Sequence, residues 1–433
     1  MDLLPSLQRP DHDLQGGRYG TTIIRMFFRL VRLGVSLRAA SRVLGLIAEA
    51  SGLLGGIPHW TTGRMWLLRV GHAVLTFSKK KAADWAWMID HSVQIGQEKV
   101  LVILGIRLKD LPPAGECLRH EDMQLIALTP RKSWTRKDVD DELEAATAQT
   151  GVPRVIVDDH GVDLTGGVSM FQKRHAETAE IYDAKHKAAC VLKHRLEKDL
   201  RWQAFQQRIG QTRCAIQQTE LAFLVPPAPK PKSRFMNLQP VLDWTEKVLA
   251  VLRHPPGELP CPVSAERLRE KLGWLEEFRV EVQRWSQWQQ IVNVTVEFVD
   301  RHGLYAGVAD DLRRRLPLCR AQSSESLAEE LIAFVGSQGA KAFPGERLPG
   351  STEVLESSFG LFKALEKQQS RGGFTSLLLG FGALLAKTSQ DVIYRAMQHS
   401  RTPDVRRWCV EHLGKTLFSQ RKLTFQACAM RSG

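Results

Sequence analysis

Four apolar runs and one helix-like segment between residues 84 and 159 constrain the fold of this chain more than any other feature. Continuous apolar strands imply a sheet that is covered on both faces. Between the third and fourth runs, Thr135 and Asp138 have capping-box spacing and predict a helix over residues 136–151. The order βββαβ predicts a helix that returns the chain to a parallel strand. The runs are WAWMID (85–90), KVLVILGIRL (99–108), MQLIALTP (123–130) and RVIVDD (154–159).

Two of these strands are predicted to end in carboxylates. Asp90 ends the first strand, and Asp158 and Asp159 end the fourth. If the first and fourth strands pair in parallel, their carboxyl ends lie side by side and the acids converge at one edge of the sheet. Taken singly, Asp90 has an alternative role as a turn former at a strand end.

The remaining chain reads as helical and gives the predicted domain organisation. Long amphipathic patterns fill residues 172–345, and a helix over 351–370, capped by Ser351 or Thr352, carries Glu353 and Glu356. The prediction is a mixed α+β protein with a βββαβ sheet flanked by helices at its core. Its domains are an N-terminal helical domain (1–80), the first part of the core (81–171), an all-helical insertion (172–345) and the last part of the core with C-terminal helices (346–433).

Two short N-terminal helices around a break containing glycine suggest a helix-turn-helix. Ser36 is a candidate cap for the first helix, and the second is predicted to stop at Gly71. In such a unit the N-terminal turn of the second helix contacts base edges in the major groove. The alternative is a plain helical hairpin with solvated arginines. The candidate DNA contacts are Thr61, Thr62, Arg64 and Arg69.

The charge balance favours a polyanionic partner. Lys and Arg number 60 against 47 Asp and Glu, a net charge of +13, and a phosphate backbone is a common partner for such an excess. A membrane is not expected, because the longest apolar stretch (374–386) is too short to span a bilayer. Seven scattered cysteines without a CxxC pair suggest neither a disulfide framework nor a cysteine zinc site, and fit a reducing, cytosolic setting.

Three acids from separate parts of the chain suit metal-assisted phosphoryl transfer. Two Mg²⁺ ions about 4 Å apart can activate an attacking oxygen and stabilise the leaving one. Magnesium prefers carboxylate oxygen and keeps several waters, so about three acids can hold a pair of ions. Asp90 and Asp159 would come from neighbouring strands, and Glu356 from a helix beside them.

The segments MIDHS, VIVDDHGVDLTGG and EVLESSFGLFK resemble the three acidic motifs of DDE transposases of bacterial insertion sequences, whose catalytic domain is RNase H-like. Asp183 and His186 match the [C/D]xxH signature of that family. Glu356 and Lys363 match its Glu-x6-Lys spacing, and the helical stretch between second and third acid matches members with an all-α insertion. The resemblance covers roughly residues 83–370.

The resemblance implies that Asp90, Asp159 and Glu356 are the catalytic metal ligands, holding two Mg²⁺ or Mn²⁺ ions. Asp159 is preferred over its neighbour because it directly precedes a residue-glycine turn, as in the family motif. Four further residues would orient the site through hydrogen bonds: Asp158, Asp183, His186 and Glu353. For the Asp183–His186 pair, a surface ion pair is the alternative.

The same family implies contacts with DNA outside the triad. Lys363 would reach a phosphate of the bound end, or would be an ordinary exposed helical lysine. An aromatic residue of the insertion would stack on a flipped base, whereas buried tryptophan is the common alternative. The candidates for stacking are Trp202, Trp285 and Trp288.

The predicted function is a DNA transposase that hydrolyses a strand at each element end and joins the 3′-hydroxyl to target DNA. Its partners would be double-stranded DNA and further copies of the chain, as a homodimer or larger synaptic complex, in the cytoplasm and nucleoid of a bacterium. The alternatives are an RNase H-like nuclease on structured DNA and a catalytically inactive, domesticated DNA-binding protein.

Overall fold

A computed structural model of the chain divides into two compact units. Unit 1 comprises Met1–Ile181 and Thr352–Gly433, and unit 2 comprises Tyr182–Ser351. The N-terminal helices, for which a domain of their own was predicted, therefore belong to the same unit as the sheet. The structure describes residues 19–51, 56–95, 98–228, 238–254, 262–319, 321–368, 375–413 and 417–431.

Unit 1 contains the strands and the helices that flank them in sequence. The strands are β1 (Trp85–Ile95), β2 (Glu98–Arg107), β3 (Gln124–Arg131), β4 (Val155–Asp158) and β5 (Ala179–Tyr182), the last of which ends at the boundary with unit 2. The helices are α1 (Thr21–Arg32), α2 (Leu37–Ser51), α3 (Trp60–Thr76), α4 (Arg136–Thr150), α5 (Val162–Gln172), α13 (Glu353–Lys367), α14 (Gly380–Leu385), α15 (Gln390–His399), α16 (Thr402–His412) and α17 (Leu417–Arg431).

The sheet confirms the predicted mixed βββαβ core. Its strand order is β3-β2-β1-β4-β5, with β1 antiparallel to β2, β2 antiparallel to β3, and β1 parallel to β4. The capping box of Thr135 and Asp138 begins α4, the crossover helix, as predicted. Strand β5 was missed: residues 172–345 were predicted to be helical, and this four-residue strand lies within them.

Each face of the sheet is covered by its own helices. Trp85, Trp87 and Ile89 of β1 lie in one buried cluster with side chains of α4 and α5, among them Val139 and Phe171. Successive residues of a strand face opposite sides, so Met88 and Asp90 belong to the other face. On that other face α3 and α14 contact β3, and α13 contacts β1. Helices cover both faces of the sheet because β1, β2 and β3 carry apolar side chains on both sides.

Helix α3 is a central helix of unit 1. It contacts α14, α15, α16 and β3, and it runs through Gly71 to Thr76 instead of stopping at this glycine as predicted. A Cβ built on Gly71 would lie 1.7 Å from the carbonyl oxygen of Leu379. The glycine is therefore a point of close approach between α3 and the 3-10 turn over Ser376–Leu379 that precedes α14.

Unit 2 is a helical unit with an aromatic core. Trp202, Phe205, Phe278 and Trp285 are buried together, and the rings of Trp202 and Trp285 meet edge to face at 4.8 Å. Its helices are α6 (Ala184–Glu197), α7 (Leu200–Ile216), α8 (Gln239–Arg253), α9 (Ala265–Leu272), α10 (Arg279–His302), α11 (Val308–Arg315) and α12 (Gln322–Gly339). Across the described residues of both units, every helix is too short or too polar to cross a bilayer.

Candidate active site

Asp90 lies inside β1, not at the end of the strand as predicted. The strand continues to Ile95 because its antiparallel pairing with β2 extends beyond the acid, which is level with Val102. The parallel pairing of β1 with β4 is shorter, and its last pair is Met88 with Val157. Asp90 is therefore two residues past the point where the two parallel strands part, and its side chain is partly buried.

Two further acids, Asp158 and Asp159, follow Val157 directly in the sequence. Asp158 is the last residue of β4, and continuing the register by one residue sets it level with Ile89. Asp159 follows the end of β4. Its Oδ1 lies beside Gly161 together with Oδ1 of Asp163 in the first turn of α5, and its charge acts on His91. The two acids also differ in burial, since Asp158 is buried and Asp159 is partly exposed.

Backbone amides of the turn after β4 hold the two aspartates. Asp158 Oδ1 accepts from the amide of His160 at 2.6 Å, and Asp159 Oδ1 accepts from the amide of Gly161 at 2.9 Å. His160 adopts a left-handed conformation with φ of 59°, which is uncommon for a residue with a side chain. Two successive turns of this kind orient both carboxylates and lead into α5.

Asp158 is fully buried at the end of β4 and faces Glu180 of β5 and His160. Burial is the largest cause that raises the pKa of Asp158 to about 8, and the carboxylate of Glu180 is the second. Ligand atoms of Asp158, His160 and Glu180 lie within 4.8 Å of one another. Imidazole Nε2 of His160 and Oε1 of Glu180 are 3.6 Å apart. This cluster was not foreseen from the sequence.

A histidine–aspartate pair lies beside Asp90. His91 Nε2 and Asp163 Oδ2 are 2.9 Å apart, joining β1 to the first turn of α5. Burial lowers the pKa of His91, and Asp163 opposes that effect. The ring centroids of His91 and Trp134 are 5.3 Å apart. Trp134 belongs to the buried cluster between the sheet and α4.

Glu356 lies in the first turn of α13, the helix that contacts β1. Both acids predicted in this region occupy that turn, Glu353 partly buried and Glu356 exposed. Carboxylates are favoured near a helix N-terminus by the positive end of the helix dipole. Two turns further on, Lys363 is exposed, with its ammonium 5.9 Å from the ring of Phe359.

The donor set of Asp90, Asp159 and Glu356 fits hard divalent cations. All three offer carboxylate oxygen, which Mg²⁺ and Mn²⁺ prefer. They come from β1, from the residue after β4, and from a helix that contacts β1. Among the described residues, their ligand atoms do not form a group within 4.8 Å, as those of Asp158, His160 and Glu180 do. Oδ1 of Asp159 accepts a hydrogen bond from the amide of Gly161. This bond orients the carboxylate, and Oδ2 is the oxygen that would bind a cation.

Asp183 and His186 belong to unit 2 and begin its first helix. Asp183 is buried and caps α6, its Oδ1 accepting from the amides of Lys185 at 2.7 Å and His186 at 3.4 Å. His186 is exposed, and its ring lies 5.9 Å from that of Tyr182. Asp183 therefore caps this helix; the orienting role of Asp183 and His186 towards the acids stays a prediction.

The predicted DNA contacts of α3 have partners inside unit 1. Arg69 donates to the carbonyl oxygens of Met397 and Ser400 at 2.6 and 2.7 Å, and Arg64 donates to the hydroxyl of Ser376 at 2.7 Å. Thr61 is exposed at the start of the helix and Thr62 partly buried. DNA contact by these four residues stays a prediction, and the contacts of the two arginines argue against it.

The three tryptophans proposed to stack on a base are buried in unit 2. Trp202 is 6% exposed, Trp285 0% and Trp288 5%. Trp285 Nε1 donates to Asp199 at 3.0 Å, and the guanidinium of Arg284 lies 5.3 Å from the ring of Trp288. These are core contacts, so the prediction of base stacking is opposed by their burial.

Sequence reasoning missed Glu180 because it missed β5. The segment AEIY is four residues long, which is too short for strand alternation to be distinguished from a helical pattern. His160 was present in the DDHG turn and could have been noted as a metal-ligating residue type beside two acids. His91 could have been noted on the same ground.

Comparisons with known proteins include a distant structural likeness. Scanning the sequence against protein-family models gives no match, and curated proteins give none either. The fold is similar to that of a solved structure, the Drosophila P element transposase strand transfer complex, with 11% sequence identity and a TM-score of 0.41. The match covers 87% of this chain and 92% of that chain.

Proposed function

We propose that this chain is a DNA transposase of the DDE type, acting through Asp90, Asp159 and Glu356. The observation that supports this most is the register of β1 and β4. Asp90 and Asp159 each follow the last parallel pair by two residues, and the helix that carries Glu356 contacts β1. A catalytic site needs separate acids on rigid elements that meet at one place.

The three carboxylates would hold two Mg²⁺ or Mn²⁺ ions, which supply activation of the attacking oxygen and stabilisation of the leaving oxygen. The amide of Gly161 fixes the orientation of Asp159, and the pairing of β1 with β2 fixes Asp90. His91 and Asp163 tie β1 to α5 beside the site. Lys363 would contact a phosphate of the bound end.

The substrate would be the double-stranded ends of a mobile element and a target duplex. The net charge of +13 favours such a polyanion. Handling two ends together requires at least two copies of the chain, so we propose a homodimer or larger synaptic assembly. A DNA substrate of this kind places the reaction at the nucleoid of a bacterial cytoplasm.

The test is cleavage of DNA taken from either side of the gene that encodes the chain. The protein is incubated with these duplexes and Mg²⁺, and nicks are mapped for wild type and for Asp90→Ala. Asp141→Asn, an exposed acid of α4, is the matched control. End-specific nicking that is lost only in Asp90→Ala supports the proposal.

Two results would replace this function with another. Cleavage of branched DNA without preference for the flanking duplexes identifies a nuclease that acts on structured DNA. Binding without cleavage in wild type and in Asp90→Ala alike identifies an inactive DNA-binding protein. Either result overturns the assignment of a transposase.

A further inference from the structure

Asp158, His160 and Glu180 form a second group of metal-ligating side chains. Their ligand atoms lie within 4.8 Å of one another, and none of the three belongs to the proposed triad. Register places Asp158 level with Ile89, on the face of the sheet that α4 and α5 cover. Asp90, one residue further along β1 than Ile89, belongs to the opposite face of the sheet.

A buried oxygen points into this group. Asp158 is 0% exposed, and its Oδ2 has no hydrogen-bond partner, while Oδ1 accepts from the amide of His160. Leaving a buried carboxylate oxygen without a partner costs free energy. The side chains that face it are a second carboxylate and an imidazole. A cation would satisfy all three groups at once.

The donor set indicates the class of cation. Two carboxylates and one imidazole suit Zn²⁺, Mn²⁺ or Co²⁺ better than Mg²⁺, which prefers oxygen alone. Zinc bonds of about 2.0–2.2 Å in a tetrahedron separate neighbouring ligands by about 3.3–3.6 Å. His160 Nε2 and Glu180 Oε1 are 3.6 Å apart. His160 is exposed, which leaves the fourth position open to water.

We infer that Asp158, His160 and Glu180 bind one divalent transition-metal ion that joins the ends of β4 and β5. The ion would fix the turn that carries Asp159, because Asp158 and His160 flank this residue. Its role is structural, and its binding can be measured without DNA cleavage. Failure of metal uptake and failure of cleavage are therefore distinguishable results.

The test is uptake of Co²⁺ by the full-length chain in the presence of excess Mg²⁺, which occupies sites built from oxygen alone. Absorption bands of Co²⁺ distinguish nitrogen and oxygen ligands from the thiolates of free cysteines. We expect wild type to bind one Co²⁺ with the bands of nitrogen and oxygen ligands, displaced by Zn²⁺. Glu180→Gln and His160→Gln should weaken binding by more than about 100-fold, since loss of a supporting residue alone costs about 10–100-fold.

Two control variants separate this site from its surroundings. Glu177→Gln changes an exposed acid three residues before Glu180 and should bind Co²⁺ as wild type does. Asp90→Asn should also retain binding. Circular dichroism in the presence of a chelator checks that each variant is folded; His160 is exposed, so its replacement keeps the core intact.

The inference is overturned by either of two outcomes. The first is that wild type shows no Co²⁺ bands of nitrogen and oxygen ligands. A proton shared by the carboxyl groups of Asp158 and Glu180 would then take the place of the metal ion. Uptake that is equal in wild type, Glu180→Gln and His160→Gln would place the ion elsewhere.

Discussion

Met88 and Val157 form the last register pair of the parallel strands β1 and β4, and the two acids Asp90 and Asp159 each follow two residues later. Asp158, the residue before Asp159, is buried beside Glu180 and His160, whereas Asp159 is partly exposed after the end of β4. If Asp159 is the catalytic ligand, replacement of the two neighbouring aspartates should have different effects.

Asp159→Asn is expected to abolish DNA strand cleavage, whereas Asp158→Asn should retain more of it. Loss of a metal ligand removes several kcal/mol of transition-state stabilisation, which corresponds to about 100-fold or more in rate. Single-turnover cleavage of the flanking duplexes measures both. The assignment of Asp159 is wrong if Asp158→Asn is the more defective by tenfold or more, both variants being folded.

Asp90→Cys should lose cleavage in Mg²⁺ and regain part of it in Mn²⁺. A thiolate is a poor ligand for hard Mg²⁺ and a better one for softer ions. Cleavage rates of the variant are compared in the two metals, with Asp141→Cys as the control that keeps wild-type behaviour. An equal loss in both metals would argue that Asp90 does not bind the ion directly.

Gly71→Ala should destabilise unit 1 by about 1–3 kcal/mol or more, because the added methyl group would overlap the backbone at Leu379. Gly360→Ala, on α13, is the matched control, since a Cβ there has nothing within 4 Å. Alanine in that helix should be neutral or stabilising by about 1 kcal/mol. Chemical denaturation measures both, and equal stability of the two variants would contradict the close contact.

Arg69→Ala should lower the free energy of unfolding by about 1.5–3 kcal/mol, the usual contribution of hydrogen bonds from a charged group. Its guanidinium holds two carbonyl oxygens, those of Met397 and Ser400. Arg42→Ala, exposed on α2, should have little effect. If Arg69→Ala instead weakens DNA binding and leaves the free energy of unfolding unchanged, that result would support the predicted helix-turn-helix contact of Arg69 with DNA.

Asp138→Asn should weaken the start of α4 by about 0.5–1 kcal/mol at neutral pH, as loss of a capping interaction does. The hydroxyl of Thr135 is the largest cause that lowers the pKa of Asp138. The stabilisation is therefore present above the unfolded-state value of about 3.9 and is lost as pH falls through the lower folded-state pKa. The difference in free energy of unfolding between wild type and variant, measured by denaturation, should shrink below pH 4. A difference that persists in acid would show that the ionised carboxylate of Asp138 is not its cause.

The sheet could be predicted because its signals are local. The apolar runs around Trp87, Ile103 and Ile126 and the capping box of Thr135 are read from a few adjacent residues. The prediction that Gly71 ends its helix was wrong, because the role of this glycine depends on its close packing against the backbone of Leu379, which is distant in sequence. Burial of Trp285 likewise depends on which helices surround it.

The candidate site was predictable only in part, for a similar reason. Asp90 and Asp159 each follow an apolar run, so the pairing of β1 with β4 could be predicted to bring them to the same end of the sheet. Glu180 lies on a strand of four residues, and its proximity to Asp158 depends on the order of strands in the sheet. Sequence patterns carry no such information.

The division of unit 1 into two segments has a consequence for synthesis of the chain. Helix α13, with Glu356, is translated only after the whole of unit 2. At about 5–20 residues per second, a ribosome needs about ten seconds or more to cover that distance. A nascent polypeptide therefore holds a complete unit 2 before unit 1 can close around its second segment, so that the sheet first forms without the helix that carries Glu356.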